Sequence, residues 1–315
     1  MDTENGKIIT TLCSHLCVTE GIQPLEPKEW SDLATKLRIN NLEPKDLAKL
    51  GEKDFKNIFD FDDKKIKRIT NLINRSGSLA FEIESLNKIG IKIVTRASKN
   101  YPLKLKNTLG KNCPPLFYYA GDLSLLNNPF IGFVGSRNIS EKDTNFVQEI
   151  VSDCIKNNYS IVTGGAKGID SEATNTALRK NGCVVEFLSD SLIRKIKKTE
   201  IINKIRERKL LLLSVAKPDA PFNTGMAMQR NKYIYAQSIA TFVVKSDYEV
   251  GGTWNGAIEN LKNKWTIGCC WENPAHIGNK ALISKGFVPC KSFKDISSAI
   301  KNNKKEITIQ NSLFD

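Results

Sequence analysis

Two short stretches carry residues whose types and spacing could do chemistry. "FIGFVGSRNIS", residues 130–140, leaves an apolar run through Gly135, Ser136 and Arg137. "TGGAKGID", residues 163–170, leaves another through Gly164, Gly165, Lys167 and Gly168 and closes on Asp170, which counts with them as a candidate ligand contact. Glycine lets backbone amides approach a ligand closely and takes up positive φ at no steric cost. A helix start just beyond adds unpaired N–H groups and a partial positive charge. A guanidinium and an ammonium add full charges. These are the groups that hold a phosphate, and two such loops about 30 residues apart have the spacing of one strand–helix–strand unit. Tight structural turns would use the same glycines, so both readings stand at this level.

Two later stretches add candidates. "MAMQRNKYIYAQS" carries Arg230, Asn231 and Lys232 at the expected start of an amphipathic helix, with Tyr233 and Tyr235 interleaved. Basic groups can hold phosphates and aromatic rings can stack on bases; equally, the tyrosines could pack in the core. "SDYEVGGTWNGAIENL" opens a helix on Gly251, Gly252 and Thr253. The densest basic segment, "SLIRKIKKTEIINKIRERKL", holds eight Lys or Arg against two Glu. It reads either as a solvated helix face or as a polyanion contact.

The elements that must position these residues follow from the pattern around them. From residue 130 onward, short apolar runs alternate with amphipathic stretches. Strands are expected at 130–134, 160–163, 183–188, 210–213, 239–245 and 265–270, and helices at 142–157, 169–181, 192–208, 226–237 and 253–263. Continuous apolar strands between amphipathic helices imply an α/β fold with a doubly wound, mostly parallel sheet covered on both faces. In such sheets ligands bind beyond the carboxyl ends of the strands, where the glycine loops fall. Before this comes a connector with strands expected at 91–95 and in "LFYYA", separated by helix-breaking prolines. Residues 5–90 read as short helices only. The expected organisation is an all-α N-terminal domain over 1–90, an α/β core over 91–290 and a C-terminal tail over 291–315.

Composition narrows the classes. Apolar residues make up 40% of the 315, enough for packed cores, and the formal net charge of +13 favours polyanionic partners. No apolar run approaches the roughly 18 residues of a membrane span, and the N-terminus lacks the apolar core of a signal peptide. The expectation is a cytoplasmic protein without a membrane partner. The eight cysteines show no paired C-x2-C spacing and read as buried thiols. Cys13-Ser-His15-Leu-Cys17 supplies too few ligands for a metal site. Neither a metal nor a cofactor is expected.

In combination these motifs resemble the DprA/Smf family of bacterial DNA-processing proteins. The resemblance runs in the family's order from "IVTRASKNYPLKLK" through "CPPLFYYAGDLSLLNNPFIGFVGSRNIS", "SIVTGGAKGIDSEATNTALRKNG", "LLLSVAKP" and "QRNKYIYAQSIATFVVKSDYEVGGTWNGAIENLKNK" to "GNKALISKGF". It implies a Rossmann-like core that binds single-stranded DNA and loads RecA onto it, and a homodimer. It also implies a phosphate site at Gly135, Ser136 and Arg137, flanked by Gly164, Gly165, Lys167 and Gly168. Arg230, Asn231 and Lys232 match the family's Arg-Asn-Arg segment and would line the same groove. The departures are those of a divergent member. Thr174 stands where the family has His, Ser214-Val215 where it has Ser-Glu, and Met228-Gln229 where it has Phe-Pro.

No Ser–His–Asp set can be assembled, and the two histidines, His15 and His276, lie outside the glycine loops, so a non-enzyme is expected. The alternative is a nucleotide-sensing or nucleotide-hydrolysing protein. Related phosphoribohydrolases place a glutamate three residues after the Gly-Thr of their loop; here Glu259 stands six after Thr253. Finally, "IQNSLFD" resembles the Gln-x-x-Leu-Phe peptide by which bacterial proteins dock on the DNA polymerase sliding clamp. Gln310, Leu313 and Phe314 would make that contact from an extended tail.

Overall fold

A computed structural model describes residues 3–18 and 21–312, with side chains as far as Asn303. Five helices come first: α1 (Glu4–Cys13), α2 (Pro27–Ile39), α3 (Glu52–Phe59), α4 (Asp63–Asn74) and α5 (Ser76–Lys88). Strand β1 (Lys92–Thr95), helix α6 (Leu103–Leu109) and strand β2 (Leu116–Ala120) follow. The alternating region is β3 (Phe130–Val134), α7 (Glu141–Lys156), β4 (Ser160–Thr163), α8 (Ile169–Arg179), β5 (Val184–Leu188), α9 (Leu192–Ile196), α10 (Thr199–Arg206), β6 (Leu210–Ser214), α11 (Thr224–Gln237), β7 (Ala240–Val243), α12 (Gly251–Asn263) and β8 (Ile267–Trp271). It closes with α13 (Ile277–Ser284), β9 (Val288–Cys290) and α14 (Phe293–Ser312).

All nine strands form one sheet in the order β1-β2-β6-β5-β4-β3-β7-β8-β9. From β6 to β9 every neighbour is parallel, while β1 and β2 pair antiparallel at one end. The chain therefore winds outward from β3 to β6, then returns to place β7 against the other side of β3. This is the doubly wound arrangement expected, and β3/β7 is its switch point.

The period-2 alternation of a strand sorts side chains onto two faces. Ile131, Phe133, Ile161, Val184, Leu210 and Leu212 join one apolar core; Phe130, Val134, Val162, Val185, Leu211 and Leu213 join the other. Helices α7, α8 and α14 cover the first face and α6, α11, α12 and α13 the second. The N-terminal helices share the first core, with Trp30, Leu33, Phe55, Phe59, Ile69 and Leu72 buried. Buried Arg75 ties them together: Nε donates to the Thr11 carbonyl at 3.0 Å and the Nη groups to those of Leu16 and Ser14, closing the end of α1.

Three elements differ from expectation. The run 192–208 is two helices, broken at Lys197 and Lys198, where Lys198 is extended. The break lets both Leu192 and Ile201 bury against β6. Strand β9 is three residues long and carries Pro289, which an edge strand tolerates and which hides it from pattern reading. The segment from 291, expected as a tail, begins as α14, whose Phe293, Ile296 and Ile300 are buried in the sheet's first core. The backbone is helical through Ser312, Gln310 included, where an extended segment was expected; Leu313 and Phe314 lie outside the described residues.

Candidate functional site

The loops after β3, β4 and β7, the N-terminal half of α11 and the start of α12 meet at the switch point. They enclose a cleft of about 390 Å³. Gly135, Ser136, Arg137, Asp170, Arg230, Asn231, Gly251, Gly252 and Thr253 line it, as do Asn138, Phe222, Met228, Lys245, Asp247 and Val250. Gly164, Gly165, Lys167, Gly168 and Lys232 do not.

The second glycine loop does a different job from the amide cradle its sequence implied. The Gly164 amide donates to Asp170 Oδ2 at 3.0 Å, and the Gly165 amide donates to Thr163 Oγ1 at 3.1 Å. The Ala166 amide points at the same Asp170 oxygen from 3.5 Å. These amides are spent inside the protein. The glycines serve by lacking side chains. A Cβ on Gly164 would lie 1.0 Å from Arg230 Nη1, so its absence is the room the guanidinium occupies. Gly168, at φ +80°, lets the two loops abut: a Cβ there would lie 2.3 Å from the Ser136 carbonyl oxygen. The Ile169 amide bonds that carbonyl, and the Ser136 amide bonds the Lys245 carbonyl. Asp170, read as a ligand contact, is the buried post of this assembly.

Arg230 is the residue this assembly serves. It sits within α11 rather than at its start, and it is 5% exposed. Its Nη1 faces Asp170 Oδ2 across 3.6 Å, at the edge of hydrogen-bond reach, and Nε and Nη1 are buried without a closer partner. Burial pushes the Asp170 carboxyl above its usual range, against the pull of Arg230. Burial likewise lowers the guanidinium, against the pull of Asp170. An arginine stays charged through such shifts. The arrangement is a buried, loosely paired cation beside a cleft.

Other groups add to it. Arg137 is exposed and lies over the ring of Phe222, 4.8 Å from its centroid. Asn231 Nδ2 donates to the Gly252 carbonyl at 2.8 Å and fixes the entry of α12. That helix has no side-chain cap, so its N-terminal amides and positive dipole end face the cleft. Lys245 was not singled out by sequence, because its place depends on contacts with a loop over a hundred positions earlier: its Nζ donates to the Asn138 carbonyl at 2.9 Å.

Several sequence candidates are placed elsewhere. Tyr233 and Tyr235 are 4% and 1% exposed and pack in the core, so neither offers a stacking face. Lys232 has its Nζ over the Tyr233 ring and lies outside the cleft lining. Lys167 is exposed outside the lining. In the basic segment, Arg194, Lys195 and Lys204 pair with Asp190, Glu186 and Glu207. Glu259, weighed as a hydrolytic carboxylate, does not line the cleft. No group of three or more His, Cys, Asp or Glu is placed to hold a metal among the described residues. All eight cysteines are free, six of them buried. No described helix is long and apolar enough to cross a membrane.

A doubly wound, mostly parallel sheet with a cleft at its switch point defines a Rossmann-like protein. The chain belongs to the DNA recombination-mediator protein A family, whose model matches residues 92–301. That family is named for mediating recombination rather than for a catalysed reaction. The chain is similar to protein Smf of Synechocystis sp., 25% identical over 210 residues, which is 65% of this chain and 52% of that relative. It thus spans about half the length of that curated relative. In fold it is similar to DNA processing protein A from Streptococcus pneumoniae, with a TM-score of 0.70 at 18% identity over 95% of this chain and 98% of the other. It is also similar to a Helicobacter pylori DNA processing protein A studied for its single-stranded DNA binding mode. There the TM-score is 0.54 at 21% identity, over 69% of this chain and 96% of the other.

Proposed function

We propose that this protein binds single-stranded DNA through the switch-point cleft and acts in DNA recombination. The observation that carries the reading is Arg230, a buried guanidinium that lines the cleft and whose nearest carboxylate, Asp170, stands 3.6 Å away. A buried cation held by one carboxylate at 3.6 Å is incompletely compensated, and a phosphate in the cleft would add the missing negative charge. Arg137, Lys245 and the start of α12 supply further positive potential, and Phe222, 45% exposed beneath Arg137, offers an aromatic face to a base. The family and the Helicobacter pylori relative point to the same ligand class. Binding of labelled single-stranded, double-stranded and mononucleotide probes at two salt concentrations tests this. Single strands should bind best, with log K falling by roughly 0.7 per phosphate neutralised for each unit of log salt. Equal or tighter binding of mononucleotides would move the reading to a nucleotide sensor.

RecA and a second copy of the chain are the protein partners we propose beyond DNA, and the sliding clamp is a third, through Gln310, Leu313 and Phe314. For the clamp, calorimetric titration comparing the full chain with one stopped at Ile309 decides the matter. Loss of binding on truncation supports docking, and equal binding or none removes it.

A further inference from the structure

A second polar chain, largely buried, reaches the cleft from behind and joins three elements. Lys245, just past β7, lines the cleft with its side chain 24% exposed. Its Nζ is 3.4 Å from Asp143 Oδ2 as well as bonding the Asn138 carbonyl. Asp143 lies in the first turn of α7 and is 1% exposed. The amide and hydroxyl of Ser140 donate to its Oδ2 at 2.8 and 2.9 Å. Its other oxygen, Oδ1, faces His276 Nε2 at 3.0 Å. His276 is 8% exposed and packs edge-on against Trp271, which stacks on Phe146 of α7 at 3.8 Å. The ring is therefore pinned against the carboxylate. Asp143 Oδ1 and His276 Nδ1 are both buried without a directed hydrogen bond.

We infer that Lys245 is a second phosphate-contacting cation of the cleft and that Asp143 and His276 are its positioning residues, with His276 taking up a proton when Lys245 turns from Asp143 to a phosphate. This rests on the phosphate reading of the cleft. A carboxylate as buried as Asp143 needs a cation beside it. Two are within reach, Lys245 from the cleft side and His276 from the core side. The charged groups facing the imidazole are those two, Asp143 on α7 and Lys245 after β7, together with the Val244 backbone. While Lys245 holds the carboxylate, burial and the lysine charge both oppose protonation of the imidazole, and its pKa lies below the ordinary value. The lysine stem is long and flexible, so a phosphate in the cleft can draw the ammonium outward. The carboxylate then keeps only the imidazole, which becomes the better proton acceptor. The proton comes from solvent to the unprotonated ring nitrogen; Asp143 stays ionised and no covalent bond changes. Strand binding is then linked to uptake of one proton, and affinity rises as pH falls.

The test combines two readouts on the full chain. First, the affinity for a short oligothymidylate is measured across pH in the native protein, His276→Gln and Lys245→Met. The native protein should bind about three- to tenfold more tightly near pH 6 than near pH 8, and both variants should lose that slope. Second, the His276 imidazole is titrated by NMR without DNA. Its pKa should rise in Lys245→Met, because the carboxylate there has no other cation. An identical slope in His276→Gln, or an imidazole unmoved by Lys245→Met, overturns the inference. Absence of binding at every pH would overturn the phosphate reading and this inference together. Binding whose pH slope ignores His276 overturns the inference alone.

Discussion

The guanidinium of Arg230 occupies the volume a side chain on Gly164 would need: a Cβ built there falls 1.0 Å from Nη1 and 1.9 Å from Cζ. The glycine after β4 and the arginine within α11 are thus one device. The loop leaves out a methyl so that a buried cation can reach the cleft, and Asp170 pins the loop to that cation.

Gly164→Ala tests the device from the loop side. The methyl must push the guanidinium aside. Overpacking of this kind costs about 1–3 kcal/mol, so the variant should fold with a lowered unfolding midpoint. Its affinity for single strands should fall by about tenfold, the loss of one charge-assisted contact. Native affinity with native stability would mean that Arg230 does not serve the ligand.

Asp170→Asn tests it from below. Arg230 and Asp170 are each 5% exposed, so removing the carboxylate charge strands a buried cation. Breaking such a pair costs about 3–5 kcal/mol. Urea unfolding should show most of that loss, and adding Arg230→Gln to the variant should restore part of it. A double variant less stable than the single one would show that the pair is not the source.

Arg137→Ala should weaken single-strand binding by about tenfold or more, since charge-assisted contacts contribute about 1.5–3 kcal/mol. Arg137 lines the cleft beside Phe222. Lys197, exposed at the break between α9 and α10, is outside the lining. Lys197→Ala should change affinity by less than about threefold, as surface charges do. The reverse ranking would place the strand on the basic helices instead of the cleft.

Burial lowers the His15 imidazole as well as that of His276, so both should make stability depend on pH in the same window, and the His276→Gln variant separates the share of His276. Burial holds its pKa below the ordinary value in the folded protein. The unfolded chain takes up the proton near pH ~6.5. Its contribution is therefore complete above that pH and is lost as pH falls toward the folded pKa. Thermal midpoints should decline from about pH 7 downward, less so in His276→Gln. A native protein with a flat profile over that window would refute the assignment.

The fold was largely legible because strand and helix periods alternate without ambiguity after residue 130, and the glycine loops announce the carboxyl ends of β3 and β4. What escaped depends on packing between distant segments. Glycine signals closeness but not to what: at Gly164 the close neighbour is Arg230, not a ligand. Tyr233 and Tyr235 look like stacking residues in a basic string, yet α11 crosses the sheet and turns both into the core. Lys245 follows an ordinary apolar strand, and only the return of β7 to β3 brings it to Asn138 and Asp143. His276 looked remote for the same reason. Pro289 hid β9, and the polar surface of α14 made a packed helix read as a tail.

Arg230 and its neighbours at the β3/β7 switch point are proposed to hold a strand phosphate. A crystal structure of the protein with a short oligothymidylate tests this most directly. A phosphate beside the Arg230 guanidinium, with Arg137 and the first turn of α12 in hydrogen-bond reach of it, is the expected result. A strand lying across α9 and α10, with the cleft free of phosphate, would contradict it.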